Sequence, residues 1–341
     1  MHEIARMQEP AVVPVAADPI PAFAGGQIPG DLREAIGRAV AAWLLRTPSP
    51  HTRRAYQADL DQFLAAAGIA AGAFENLPQV RPEHVSQWRD QLAAAGQTNS
   101  TIRRKLTALR SLFSYLQTYG YGGANPAHGK FVAAPAVPRD GKTVGLSPHD
   151  CRRLLDAPQG EPAKQTPVDR RDRAMLAVLA YSGCRVGELV RLRVRDYKTS
   201  GEHRILNITG KGGKERTTPL HLEAVERLAE WLAVPGVAEP VGPLFPAARS
   251  ARGMGRDGFA AKAMTTRAVE KLIGRYVKAL GLDPNVTVHS LRVTALTTAR
   301  ERGSDIIDLQ DFAGHADPRT TLTYIRTRDR LSKSPAYVIK Y

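Results

Sequence analysis

The chain has few of the residues that mark secreted, metal-binding or membrane proteins. Its only two cysteines, Cys151 and Cys184, argue against a disulfide framework and favour a reducing compartment. No pair or cluster of cysteines and histidines has the spacing of a zinc site. No apolar run approaches the roughly 18–20 residues that a membrane helix needs, and prolines interrupt the N-terminal segment where a signal peptide would be apolar. The sequence therefore predicts a soluble, cytoplasmic protein without a metal.

Acidic residues are also in deficit. The chain has 33 aspartates and glutamates against 48 lysines and arginines, which gives a net charge of +15 and a pI of about 10.1. A solvated basic surface is the ordinary explanation, but an excess of this size favours a polyanionic partner, most often nucleic acid. A hydrophobic content of 43% over 341 residues is enough for the cores of two domains.

The first part of the chain is predicted to be helical throughout. Residues 1–29 are rich in proline, alanine and glycine without periodicity, which indicates a disordered tail. Between residues 30 and 128, apolar residues recur at helical spacing in four segments, and no segment favours a strand. Two basic clusters begin the second and fourth helices and either form a solvated face or contact DNA phosphates. These candidate DNA-binding residues are Arg53, Arg54, Arg103, Arg104 and Lys105.

The second part is predicted to be mostly helical with a small β-sheet. Residues 129–146 contain prolines, glycine and basic residues and are typical of an exposed linker. Ser147-Pro148 is a helix-start signal, so we expect a second domain over residues 147–330. Two short strands, over 204–209 and 216–220, flank a glycine-rich loop and predict an antiparallel hairpin.

The candidate active site is a set of basic residues followed by one tyrosine. An arginine fork matches two phosphate oxygens, a lysine in a hairpin loop can protonate a leaving hydroxyl, and His-x-x-Arg shares one helical face. Nearby cations favour the phenolate of a tyrosine and so make it a nucleophile. The set comprises Arg185 in GCRVGEL, Lys211 in TGKGGKER, His289 and Arg292 in HSLR, His315 in AGHAD and Tyr324 in TTLTYIR.

Each of these residues has a more ordinary explanation when it is taken alone. An arginine or lysine is usually a surface residue, and a tyrosine is usually half-buried in a core. Lys214 is a rival to Lys211 in the same loop, and both could simply touch a DNA backbone. Tyr337 and Tyr341 lie in a tail and are poorer candidates for the nucleophile. The combination of motifs, rather than any single residue, carries the hypothesis.

Together the motifs resemble the tyrosine recombinase family, which includes phage integrases and Xer-type recombinases. The resemblance covers about residues 49–327 and keeps the family order of Arg, Lys, His-x-x-Arg, His or Trp, and Tyr. Val293, Ala313 and Arg326 depart from the residues usual beside these motifs, without removing a catalytic group. The resemblance implies a mainly α fold. We expect an N-terminal four-helix SAM-like core-binding domain and a mostly helical catalytic domain with a small antiparallel β-sheet.

The resemblance also implies roles for the site residues. Arg185 and Arg292 would bind the scissile phosphate, Lys211 would protonate the leaving 5′ oxygen, and His289 would assist proton transfer. His315 would donate a hydrogen bond to the phosphate, Tyr324 would form a 3′-phosphotyrosine bond, and Glu188 would be the accessory acid.

The implied partner is double-stranded DNA with a specific recombination site, bound by a homo-tetramer on two sites. No cofactor or metal is implied, and the need for accessory proteins stays open. The tail, residues 331–341, is expected to contact a neighbouring subunit. Three alternatives stay open. They are a DNA-binding protein of the same fold without catalysis, a type IB topoisomerase, and a metal-dependent nuclease, which would need clustered carboxylates.

Overall fold

The computed structural model describes residues 30–137, 143–158, 165–248 and 258–324. The chain divides into two compact units, residues 1–138 and residues 139–341. Within the described ranges, no helix combines the length and the apolar character that crossing a membrane requires. The predicted tails, residues 1–29 and 331–341, lie outside the described residues, as does a part of the predicted linker.

The first unit contains the four predicted helices. Their apolar faces share one core around Trp43, Phe63 and Trp88, in which the edge of Phe63 meets the Trp88 ring at a centroid distance of 5.3 Å. The side chains of Ser49 and Thr98 accept hydrogen bonds from backbone N–H groups and so begin the second and fourth helices. The elements are α1 (Gly30–Leu45), α2 (Pro50–Ala66), a 3-10 helix (Phe74–Gln79), α3 (Pro82–Ala94) and α4 (Asn99–Thr118).

The second unit is mostly helical and carries two small antiparallel sheets. Its core surrounds a buried helix that contributes Met175, Leu176 and Val178. The elements of the first half are α5 (Pro148–Asp156), α6 (Pro167–Ser182), α7 (Val186–Leu189), a 3-10 helix (Val194–Asp196), β1 (Tyr197–Ser200), β2 (His203–Thr209), a 3-10 turn (Lys211–Gly213) and β3 (Glu215–Pro219). The elements of the second half are α8 (Leu222–Leu232), β4 (Pro246–Ala248), β5 (Phe259–Ala263), α9 (Thr266–Ala279), α10 (Val288–Glu301), α11 (Ile306–Ala313) and α12 (Pro318–Tyr324).

The predicted hairpin is present and belongs to a larger sheet. Strands β2 and β3 pair antiparallel with Asn207 opposite Thr217, and each begins one residue earlier than the sequence pattern indicates. Strand β1 also pairs with β2 and was not predicted. Its residues after Tyr197 are all exposed, so β1 lacks the alternation of apolar and polar residues that marks a strand. A two-residue turn, in which Gly201 has a φ of 56°, joins β1 to β2.

Candidate active site

Arg185 stands where α6 has ended and α7 begins. Gly183 ends α6 with a φ of 57°, and the next turn is closed by Glu188. The Arg185 backbone N–H donates to Glu188 Oε2 at 3.0 Å, and Arg185 Nη1 donates to Oε1 at 2.9 Å. The Glu188 side chain is 3% exposed, whereas that of Arg185 is 40% exposed. The acid therefore orients a guanidinium that an incoming ligand can still reach.

A second arginine contacts the same carboxylate. Arg216 on β3 donates from Nη2 to Glu188 Oε2 at 2.8 Å. Burial opposes the ionisation of Glu188, but hydrogen bonds from Arg216 and Arg185 outweigh it and lower the pKa of Glu188 to about 2. Glu188 is therefore ionised at neutral pH. Arg216 is not recognisable as a site residue from the sequence, because one more basic residue in GKGGKER gives no distinguishing signal.

Arg292 lies almost wholly inside the protein. It projects from α10, is 1% exposed, and donates to the carbonyl oxygens of Gly183 and Ala313, the latter at 2.6 Å. These two carbonyls lie at the C-terminal ends of α6 and α11, where a positive charge is favourable. One buried guanidinium thereby holds two helix ends beside the start of a third helix.

His315 is held between Arg292 and the last described helix. Its Nε2 lies 2.8 Å from Arg292 Nη2, and its Nδ1 lies 2.9 Å from Thr321 Oγ1 on α12. A guanidinium has no acceptor, so Nε2 accepts, and in the neutral ring Nδ1 carries the proton and donates to Thr321. Burial, together with Arg292, Arg185 and Arg216, lowers the pKa of His315 to about 4. The ring is therefore neutral at pH 7.

His289 completes one wall of a cleft. It lies in the first turn of α10. Partial burial of its ring lowers its pKa, and the positive charges of Arg292 and Arg185 lower it further. Arg185, His289 and Arg292 line the same cleft, whose volume is about 670 Å³. Val286 and Val288 supply apolar wall beside these three residues. The cleft brings together three of the predicted site residues from two separate motifs.

The side chains of Lys211 and Tyr324 lie outside the described part of the structure. Their positions along the chain adjoin the cluster. A Cβ built on Gly210, directly before Lys211, would lie 3.7 Å from Glu188 Oε1, so the base of the hairpin loop meets the acid. Tyr324 is the last residue of α12 and follows Thr321, the partner of His315, by three residues. Helical spacing places these two positions on the same face of α12.

The candidate DNA-binding residues of the first unit differ in their surroundings. Arg54 and Arg103 are exposed, and Arg53 is half-buried. Arg104 Nη2 and Lys105 Nζ donate to Oδ1 of the buried Asp59 at 2.8 and 3.0 Å. Lys105 also donates to Gln62 at 2.6 Å and is 12% exposed. Two of the five candidates thus neutralise a carboxylate of their own unit.

Comparison with known protein families covers both units. Residues 145–330 match the model of the phage integrase family, and residues 43–120 match that of the phage integrase N-terminal SAM-like domain. The chain is a site-specific recombinase of the tyrosine type. It belongs to the phage integrase family, which confirms the predicted family, enzyme class and mainly helical fold.

Individual relatives agree with this assignment. The tyrosine recombinase XerC of Pelobacter propionicus is 33% identical over 294 residues, which cover 84% of this chain and 88% of that protein. The Tn1549 transposon integrase in complex with circular intermediate DNA has a TM-score of 0.65 and 18% identity, over 89% of this chain and 99% of that chain. A lambda integrase tetramer bound to a Holliday junction has a TM-score of 0.63 and 17% identity, over 87% of this chain and 76% of that chain. The two solved structures share the fold.

Proposed function

We propose that this recombinase cleaves and rejoins DNA at a specific duplex site through a 3′-phosphotyrosine bond to Tyr324. The charge of the described cluster carries the proposal. Arg185 and Arg216 hold the ionised acid Glu188 between them, Arg292 lines the same cleft as Arg185, and both histidines of the cluster have lowered pKa values. Three positive charges and one negative charge leave an excess of two. Such a site favours a phosphodiester and the further negative charge that develops on it during attack.

The hydrogen bonds of His315 indicate how the phosphate enters. Arg292 Nη2 now donates to His315 Nε2, so that nitrogen carries no proton. A bound phosphate oxygen takes over this Arg292 donor, and His315 then donates from Nε2 in its other neutral tautomer. The Thr321 hydroxyl supports both tautomers, because it accepts from Nδ1–H and can equally donate to a bare Nδ1. The exposed Arg185 guanidinium binds a second non-bridging oxygen.

The proposed reaction is a transesterification, in which one phosphorus–oxygen bond forms while another breaks. The Tyr324 oxygen attacks phosphorus, its proton passes to His289, and the bond from phosphorus to the 5′ oxygen breaks. Lys211 protonates that leaving oxygen. The product is a 3′-phosphotyrosine link and a free 5′ hydroxyl. A 5′ hydroxyl from a second duplex reverses these steps, so the phosphodiester is conserved without ATP.

The proposed partner is duplex DNA with a defined recombination site. The exposed Arg54 and Arg103 of the first unit are suited to phosphate contacts, with Arg53 beside them. The similarity to a lambda integrase tetramer on a Holliday junction supports a homo-tetramer acting on two sites. The proposed context is the integration, excision or resolution of a mobile element or replicon. We also propose that residues 331–341 form a contact between subunits.

Trapping the covalent intermediate tests this proposal. A binding site is first selected from the DNA that flanks the gene and is built into a nicked suicide duplex. The duplex is then incubated with the protein in the presence of EDTA, and the products are run on a denaturing gel. Wild type and the matched control Tyr337→Phe should give a protein–DNA band, and Tyr324→Phe should give none while it still binds DNA. A band from Tyr324→Phe would refute the assigned nucleophile. Tight specific binding without any band would instead favour a non-catalytic binder.

A further inference from the structure

Arg216 connects parts of the second unit, here called the catalytic unit, that are distant in sequence. It lies on β3, and its side chain is 13% exposed. Nη2 donates to Glu188 Oε2 at 2.8 Å, across 28 positions, and Nε donates to the Phe312 carbonyl at 3.2 Å, across 96 positions. Phe312 lies in the last turn of α11, where a cation is favourable. One side chain therefore bridges the Arg185 turn and the end of α11.

The turn after α11 is shaped around this guanidinium. Gly314 ends the helix with a φ of 61°, in the left-handed region that favours glycine. A Cβ built on Gly314 would lie 3.1 Å from Arg216 Nη1 and 3.2 Å from its Cδ, closer than ordinary contact. The backbone directly before His315 is thus packed against the Arg216 side chain. Any other residue at 314 would displace one of the two.

We infer that Arg216 is a positioning residue of the recombinase, which locks the Glu188–Arg185 pair onto the turn that carries His315. The inference rests on the proposed function, because it assigns Arg216 to the same phosphate site. Arg216 contacts Glu188 and the α11 carbonyl, and it acts through them on the groups that meet the phosphate. It also ties β3, and with it the hairpin loop that contains Lys211, to the other two segments.

Lysine cannot replace this arginine. Arg216 reaches its two acceptors from two nitrogens of one rigid plane, whereas lysine has a single terminal nitrogen on a flexible stem. Arg216→Lys keeps the charge and loses at least one of the two bonds. Because a misplacement of about 1 Å at an active site can cost about 10²-fold in rate, we expect covalent adduct formation to fall by roughly that factor. DNA affinity, measured by fluorescence anisotropy, should change little.

The pH dependence separates positioning from a merely structural role. In the wild type, Glu188 stays ionised across the assay range because its pKa is about 2. In Arg216→Met, the burial of Glu188 remains but its main hydrogen-bond donor is gone, so its pKa rises. Falling pH then protonates Glu188 and releases Arg185. The ratio of wild-type to variant adduct rate should therefore increase as the pH falls.

The experiment compares initial adduct rates on the suicide duplex for wild type, Arg216→Lys, Arg216→Met and the control Arg204→Lys. Arg204 lies on the neighbouring strand β2, stacks over Tyr197 at 5.7 Å and should tolerate lysine. If Arg216→Lys does not fold, Arg216→Met decides by the same readouts. A wild-type rate in Arg216→Lys, together with a wild-type pH profile in Arg216→Met, would overturn the inference alone. Absence of any adduct from the wild type would overturn the proposed function, and this inference with it.

Discussion

Glu188 provides the most quantitative test of the site, because its ionisation is coupled to folding. Its carboxylate is buried between Arg185 and Arg216, and its pKa is lowered from the ordinary 4.5 to about 2. By linkage, this difference corresponds to about 3 kcal/mol of stability at neutral pH, since each pH unit is worth about 1.4 kcal/mol. Glu188→Gln should therefore lower the free energy of unfolding of the catalytic unit by up to about 3 kcal/mol. Hydrogen bonds retained by the amide would reduce this loss.

The pH dependence of the loss has a definite sign. A carboxylate whose folded pKa is lowered stabilises the fold fully above its unfolded pKa, here 4.5, and loses that contribution as pH falls toward about 2. Protonated Glu188 then resembles glutamine. The difference between wild type and Glu188→Gln should therefore be constant from about pH 8 to 6 and be smaller by about 1 kcal/mol at about pH 3.5.

The measurement is urea unfolding, monitored by pulsed hydrogen exchange of peptides from α6. This buried helix is used because it reports the unfolding of the catalytic unit alone. Glu230→Gln is the matched control on α8, since Glu230 is half exposed and lies 3.6 Å from Arg173. Its replacement should cost less than about 1 kcal/mol, as exposed ion pairs do. A Glu188→Gln difference that stays the same at low pH would refute the assignment of this stability to ionisation.

Three further predictions concern groups beside the site. Gly314→Ala sets a Cβ 3.1 Å from Arg216 at a φ of 61°, and should cost about 1–3 kcal/mol of unfolding free energy; an unchanged urea midpoint would contradict this. Cys184 is 2% exposed, and burial raises its pKa to about 11. Mass spectrometry after brief iodoacetamide treatment should therefore find Cys151 alkylated and Cys184 intact in the native protein, and both alkylated in urea. The His315 ring signal in NMR spectra should not titrate between about pH 8 and 5.5, since its pKa is about 4; a midpoint near 6.5 would be inconsistent.

The helices of both units could be predicted because their determinants are local. Ser147 caps α5 where the sequence predicts a helix start, and Ser49 and Asp317 cap their helices in the same way, each through a side-chain oxygen that accepts from a nearby backbone N–H. Strand β1 could not be found in the same way. It is short and mostly exposed, and its place in the sheet depends on pairing with β2 rather than on its own pattern.

The same distinction separates the site residues that motifs identify from those that only the fold identifies. His289 and Arg292 share a helical turn, so their spacing alone places both on the same cleft. Arg216 has no comparable spacing to its acceptors, because the two contacts span 28 and 96 positions. It becomes distinguishable from the other basic residues of its loop only when α11 and Glu188 cover it. His289 and Arg292 can be recognised because they must reach the same cleft from one helical turn, which fixes their spacing. The role of Arg216 depends instead on which distant backbone and side-chain acceptors the fold brings next to it, and no spacing in the sequence records that.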